Sequence, residues 1–249
     1  MFEKIYILWL RQLKRYWRSK PRVIGSLGQP LLFLLALGYG MGSVFQQAGQ
    51  GNYLDFLAPG IIGMSIIFTA IFSGIEIIWD RQFGFLKEVL VAPISRLEIM
   101  IGHTLGGATV AFFQGVIVLF ISMAVGFRPI DLTGVFLALG IMFLTALLFA
   151  AFGVAIASRL NDMQGFQLIM NFLIMPLFFL SGALFPLQGA PKTLSIIAAA
   201  DPLSYGVDAL RGLLAGTYYY GFGVDVAALA GATVLSVAVG SYLFSKIQI

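Results

Sequence analysis

The chain has no cysteine, so disulfides and thiolate metal sites are excluded, whatever the redox compartment. It has one histidine, His103, and with no second imidazole a structural hydrogen bond is expected there in preference to a metal or a proton relay. Charge is scarce. Asp, Glu, Lys and Arg make up 10% of 249 residues against 59% apolar residues, which no soluble domain approaches. No glycine-rich loop ends in Gly-Lys-Ser or Gly-Lys-Thr, so nothing can cradle nucleotide phosphates in the P-loop manner, and any ATP-driven process needs an ATPase on another chain. The centres of the apolar runs hold no charged residue, which argues against a proton- or sodium-coupled antiporter.

What remains is a polytopic all-α membrane protein with a mean hydropathy of +0.95. A span needs roughly 20 apolar residues. Six runs qualify, at 23–45, 57–79, 99–126, 132–157, 166–185 and 224–244. Twelve of the fifteen Lys and Arg residues precede the first run, lie between the second and third, or follow the fourth and sixth; only Arg128, Lys192 and Arg211 fall on the other side. Both termini are therefore expected in the cytoplasm. The isoelectric point of 9.4 reflects these membrane-flanking cations, and nucleic-acid binding is discounted. The whole chain, 1–249, reads as one transmembrane domain.

The first 22 residues lack the apolar core of a signal peptide and read instead as an amphipathic helix. Phe2, Ile5, Tyr6, Trp9, Leu13, Tyr16 and Trp17 gather on one face, with Lys4, Arg11, Lys14, Arg15 and Arg18 opposite. Such a helix is expected to lie in the membrane interface, rings toward the acyl chains and cations toward anionic headgroups of membrane lipid.

Between the second and third runs lies a polar island, 80–98, carrying six charges. Phe83, Leu86, Val89 and Leu90 recur at helical spacing while Lys87 and Glu88 fall elsewhere, so the island reads as a short amphipathic helix that Pro93 ends. Ser95 and Glu98 then have the spacing of a capping box. A plain connection needs none of this; the pattern fits a docking element and equally a helix resting on headgroups.

The insert 186–223 is too apolar for a solvated loop and too broken to span. It reads as two short helices, the second N-capped by Asp201 with Pro202 at its first position and closed by Gly216. Leu203, Val207, Leu210 and Leu214 share a face of that helix, and Asp208 and Arg211 are spaced to pair with each other. Gly38 with Gly42, and Gly102 with Gly106, have the spacing of close helix contacts, within one chain or between two. Asn171 in the fifth run is expected to face inward, and Pro176 to kink that helix. Glu76 and Asp80, four residues apart, are expected in an ion-pair cluster with Arg81 and the island arginines.

The run Phe85-Leu-Lys-Glu-Val-Leu-Val-Ala-Pro-Ile-Ser-Arg96 resembles the segment between the second and third spans of permeases of type 2 ATP-binding-cassette (ABC-2) exporters. Phe179-Leu-Ser-Gly-Ala-Leu-Phe-Pro186 followed by Asp201-Pro-Leu-Ser-Tyr-Gly-Val-Asp-Ala-Leu-Arg-Gly212 is similar to their C-terminal signature, and to the subgroup of daunorubicin-type drug and nodulation-factor exporters in particular. The resemblance covers essentially the whole chain. It implies a coupling helix in which Phe83, Leu86, Lys87, Glu88, Leu90, Pro93 and Arg96 meet an ATPase subunit, and an N-terminal helix, with Trp9, Arg11, Lys14, Arg15 and Trp17, that also touches it. It further implies two ATPase copies binding ATP and Mg, a second permease copy or homologue, no cofactor in this chain, and no enzymatic activity of its own. A path between the two permeases lined by the second and fifth spans would involve Phe68, Phe72, Asn171, Met175, Phe178 and Phe179. The expected cargo is an amphipathic drug or lipid leaving across the cytoplasmic membrane, with polysaccharide or glycolipid second; a channel or scaffold is the answer of a different class.

Overall fold

The structure, a computed structural model, describes residues 2–47, 52–91 and 94–247. Among these, all regular structure is helical. The first helix, α1 (Phe2–Arg18), is followed by α2 (Lys20–Gly40) and a short α3 (Gly42–Gln47). The second span is broken into α4 (Tyr53–Phe72) and α5 (Ile75–Gln82), and the island helix is α6 (Phe85–Val91). Then come α7 (Arg96–Val125), α8 (Leu132–Ala157) and α9 (Met163–Leu180), the insert helices α10 (Lys192–Ala200) and α11 (Pro202–Ala215), and α12 (Phe222–Ser245). Among the described residues, six segments are long and apolar enough to cross a membrane, as the six runs predict. Two stop short: the first ends at Gly40 and the fifth at Leu180, five residues before the respective run does. At the fifth, Gly182 takes a left-handed conformation, φ +75°, that turns the chain out of the helix. The helix passes through Pro176 without interruption.

The second span is the axis of the bundle. Its most apolar window is 78% buried, against 17–22% for the first, fifth and sixth spans, so its all-round hydrophobicity serves protein packing where theirs meets lipid or a partner. Backbones come very close here. Gly74, at the break between α4 and α5, and Gly153 of α8 face each other so closely that a Cβ on Gly153 would stand 2.5 Å from the Ile71 carbonyl. The break in the second span therefore sits where α8 presses against it.

At one end of the bundle the insert folds back onto the spans. α11 buries Leu203, Val207, Leu210 and Leu214, the face read from the sequence. Asp201 accepts the Leu203 amide at 2.8 Å, and Gly216 closes the helix at φ 75°. Asp208 and Arg211 do not pair, correcting the expectation from their spacing. Asp208 instead accepts the Tyr219 and Tyr220 amides at 2.8 Å, while Arg211 donates to the Gly182 carbonyl at 3.0 Å and covers the Phe56 ring. Buried carbonyls left free where α9 turns out have a stronger claim on the guanidinium than a carboxylate already held by two amides.

Asp201 carries a prediction. Its second oxygen has no partner, and burial, opposed by the weaker pull of the Leu203 amide, pushes its carboxyl up to about 7. The folded chain thus keeps a proton that the unfolded chain releases near 3.8. Its contribution to stability is full below that value, falls as pH rises toward about 7, and levels off above. Asp201→Asn keeps the capping oxygen without the charge. It is expected to raise the thermal midpoint at neutral and mildly alkaline pH and to flatten the pH profile, read by tryptophan fluorescence in detergent.

Candidate functional site

The island end of the bundle holds an ion-pair cluster assembled from three elements. α1 lies against α7 because Gly102 and Gly106 leave a groove for it: a Cβ at either would come within 2.7 Å of Leu8 or 2.6 Å of Gln12. The contact of this glycine pair is therefore within one chain. Leu8, Gln12 and Tyr16 are buried in the groove, and Trp9 donates its indole N–H to Thr109 Oγ1 at 3.0 Å.

Seating α1 this way turns Arg11 and Arg15 inward. Arg11 donates through both terminal nitrogens to Asp80, each at 2.7 Å, and its guanidinium lies 3.7 Å over the Phe85 ring of α6. Arg15 reaches Asp80 Oδ1 at 3.3 Å and stands over Trp79, and Arg22, at the start of α2, reaches Glu76 Oε1 at 2.8 Å. Glu76 and Asp80 are each 3% exposed. Carboxylates so buried persist only when paired, and the fork of Arg11 supplies the strong bidentate geometry.

This corrects two expectations. The cations of α1 do not all face headgroups: Arg11 and Arg15 face the bundle, while Lys14 and Trp17 are exposed. The partners of Glu76 and Asp80 are these N-terminal arginines, not Arg81 and the island arginines. Arg81 donates to the Ser158 carbonyl at 2.9 Å, to Leu160 at 3.2 Å and to Asn161, holding the base of α5 to the end of α8. Arg96 donates to the Ile247 and Ser245 carbonyls and fixes the start of α7 to the end of α12.

His103 is buried beside the cluster with Nδ1 2.6 Å from Gln12 Nε2, so the ring accepts from the amide and presents Nε2–H toward Asp80 Oδ2 at 3.8 Å. A structural hydrogen bond is what the sequence predicts. No group of three His, Cys, Asp or Glu residues could hold a metal among the described residues.

α6 follows directly from the cluster. Phe83 is the C-cap of α5, and Gly84 at φ +80° starts the turn into α6, so the helix begins two residues later than its apolar spacing predicts. Leu86 and Val89 are buried against the bundle. Phe83 and Val91, 81% and 89% exposed, and the exposed Glu88 form the outward surface. The capping box that follows is complete, with Ser95 Oγ accepting the Glu98 amide at 3.2 Å and Glu98 accepting the Ser95 amide at 2.7 Å. Pro93 and the side chains of Lys87 and Leu90 lie outside the described residues.

Residues 3–215 match the family model described as "ABC-2 type transporter". The chain belongs to the ABC-2 type transporter family. It is 26% identical over 245 residues to nodulation protein J of Rhizobium leguminosarum bv. trifolii, covering 98% of this chain and 89% of that protein. To the transport permease ycf38 of Cyanophora paradoxa it is 28% identical over 216 residues, 84% of this chain and 73% of that one. The ycf38 permease of Pyropia yezoensis is 30% identical over 225 residues, covering 85% and 74%.

As an ABC-2 transport permease the chain is a multi-pass membrane protein, and permeases of its family work with an ABC ATPase. The residues considered for a transport path are divided in this permease. Phe68 and Phe72 are half-buried and stacked with centroids 6.4 Å apart, and Phe72 meets Phe166 edge-on at 6.3 Å. Phe178 is enclosed, packed on Phe33 at 6.2 Å. Asn171, Met175 and Phe179 lie on the exposed face of α9, so Asn171 does not face the interior of its own bundle as expected. The stripe that α9 buries is Phe166, Met170, Ile174 and Phe178, at strict four-residue spacing, which places Asn171 off the inward line.

The spacing of the arginines is the signal for this cluster in the sequence. Arg11, Arg15 and Arg22 fall four and seven residues apart, a single helical line if α1 and α2 are nearly continuous, and Glu76 and Asp80 repeat that four-residue step on another helix.

Proposed function

We propose that this permease is the membrane-spanning half of an ATP-driven exporter, powered by separate ATPase subunits that dock on α6 and carrying an amphipathic cargo. The carrying observation is Arg11, which touches α1, α5 and α6 at once through Asp80 and Phe85. A push on the outward surface of α6 is transmitted to the base of the second span and to the N-terminal helix together. The exposed Phe83, Glu88 and Val91 offer a mixed apolar and acidic contact, while buried Leu86 and Val89 make the helix part of the bundle that moves. On this reading the island and both termini are cytoplasmic, in the cytoplasmic membrane.

Two permease copies and two ATPase copies complete the transporter. The polar side chains of Gln164, Gln167 and Asn171 are exposed along α9. Asn171 stands eight residues into the helix, about 12 Å from its start. Hydrocarbon offers an amide no partner, so this face belongs against a second copy or a water-filled path between copies, with Met175 and Phe179 beside it and Phe68 and Phe72 on the second span. ATP binding closes the ATPase pair and re-packs the two bundles, a two-state change biased by ligand.

The test is co-purification of the chain with a candidate ABC ATPase in nanodiscs, followed by ATP hydrolysis with and without the permease. A stable complex whose hydrolysis responds to the permease supports the exporter. A chain that purifies alone and leaves every candidate ATPase unaffected removes its engine and favours a channel or scaffold.

A further inference from the structure

A cavity of about 200 Å³ opens between α1, α2 and α4, beside the ion-pair cluster. Its lining combines the polar side chains of Arg22, Ser26, Gln29 and Thr69 with the stacked rings of Phe68 and Phe72. Its polar groups are not equivalent. Arg22 is answered by Glu76 at 2.8 Å, and the Ser26 hydroxyl donates to the Val23 carbonyl at 2.9 Å. The Gln29 amide and the Thr69 hydroxyl are half-buried and make no hydrogen bond to another described residue. Gln29 stands nine residues into α2, about 13 Å along the helix, where lipid chains supply neither donor nor acceptor.

We infer that this cavity receives the uncharged, hydroxyl- or amide-bearing head of an amphiphile, whose tail leaves through the open side into the bilayer. The inference rests on the exporter reading and deepens it by naming the class of cargo head. Amide and hydroxyl groups without a protein partner are answered by water or by a guest that brings its own donors and acceptors, and a guest whose tail lies in the bilayer displaces that water. Arg22, the one cation in the lining, is already held by Glu76 at 2.8 Å, which lowers its reward for an anionic head. The stacked Phe68 and Phe72 suit a ring face or the first methylenes of a tail. The volume lies below the range of roughly 300–1,000 Å³ that encloses whole ligands, so the site holds a head and not an entire cargo. Because Arg22 is both a wall of the cavity and the partner of Glu76, occupancy acts on the same cluster that touches α6. By reciprocity, any ATPase-driven movement of the cluster must alter affinity in the cavity.

The test uses the chain alone in phosphatidylcholine nanodiscs, without ATPase, so that its outcome is independent of the exporter reading. The probe is a dodecyl glucoside carrying a diazirine on the first carbons of its tail, compared with a phosphatidylglycerol carrying the same group. The glucoside is expected to label the peptide containing Phe68 and Phe72 and to be displaced by plain dodecyl glucoside. The double variant Gln29→Leu with Thr69→Val is expected to lower labelling about tenfold, the equivalent of two ordinary hydrogen bonds. Gly25→Leu, at a lining glycine whose added Cβ meets nothing within 4 Å, fills the cavity without disturbing the fold and is expected to do the same. Equal labelling of wild type and both variants overturns the inference, since only tail contact would remain. Preference for the phosphatidylglycerol overturns it in favour of an anionic head. Absence of label together with spontaneous disulfide dimers of Gly25→Cys overturns it in favour of a second copy covering the cavity.

Discussion

Arg11→Met is expected to reduce permease-dependent export at least about tenfold while the chain still inserts, within the range of ordinary coupling free energies of about 1–3 kcal/mol. Asp80 would keep Arg15 at 3.3 Å and the more distant His103 Nε2 at 3.8 Å, and α6 would lose the cation resting on Phe85. Breaking a fully buried pair costs about 3–5 kcal/mol, but Arg11 is 29% exposed and the loss here is smaller, about 2 kcal/mol, visible as a lower thermal midpoint in detergent. Stability alone would therefore not account for a transport defect in a chain that remains folded. Arg11→Lys separates charge from geometry. It keeps the cation but not the fork or the stacking plane, and an intermediate phenotype is expected. Exchanging the charges, Arg11→Asp with Asp80→Arg, should recover part of what each single change loses, because the two residues act on each other. Full export from Arg11→Met would show that α1 is only an anchor.

Glu88→Arg should abolish ATPase binding and leave the fold untouched. Glu88 is exposed on α6 and makes no ion pair among the described residues, so reversing its sign breaks no contact and costs only the small attraction of a carboxylate to the first turn of the helix. Val91→Asp, at a position 89% exposed, should weaken the complex by placing a charge in the apolar part of the contact. The contrast is Leu86→Asp, which buries a carboxylate against the bundle and should fail as a fold, with poor expression and an early melting transition. Retained ATPase binding in both Glu88→Arg and Val91→Asp, measured by co-purification in nanodiscs, would remove α6 as the docking surface. Deleting the whole helix would not give so clean an answer, because Leu86 and Val89 belong to the core.

Much of the architecture was legible from the chain. The apolar runs needed only length to be read as spans. Ser95 with Glu98, Asp201 with Pro202, and Gly216 are contacts within one turn of helix, and the structure realises each of them. The reading lost ground where an amphipathic pattern had more than one possible audience. In a membrane chain an apolar face can address lipid, its own bundle or a second copy, and a cation can address a headgroup or a buried carboxylate. Tyr16 and Trp17 stand on the face read as apolar, yet Tyr16 is buried and donates to Gln114 at 2.9 Å while Trp17 is exposed. Asn171 shows the same ambiguity in reverse, a polar residue turned away from its own bundle.

By itself, then, the sequence determined the class, the six spans, the caps and the island, because each depends on residues a few positions apart obeying local geometry. Only the tertiary structure decided that Arg11 holds Asp80 across 69 residues, that Gly102 and Gly106 seat α1 and not a second copy, and that Leu86 is buried against the bundle while Glu88 is exposed. Periodicity states which residues share a face. It carries no information about what that face meets, because the meeting is set by the packing of helices distant in the chain, where burial makes an unpaired carboxylate costly and small residues admit close approach.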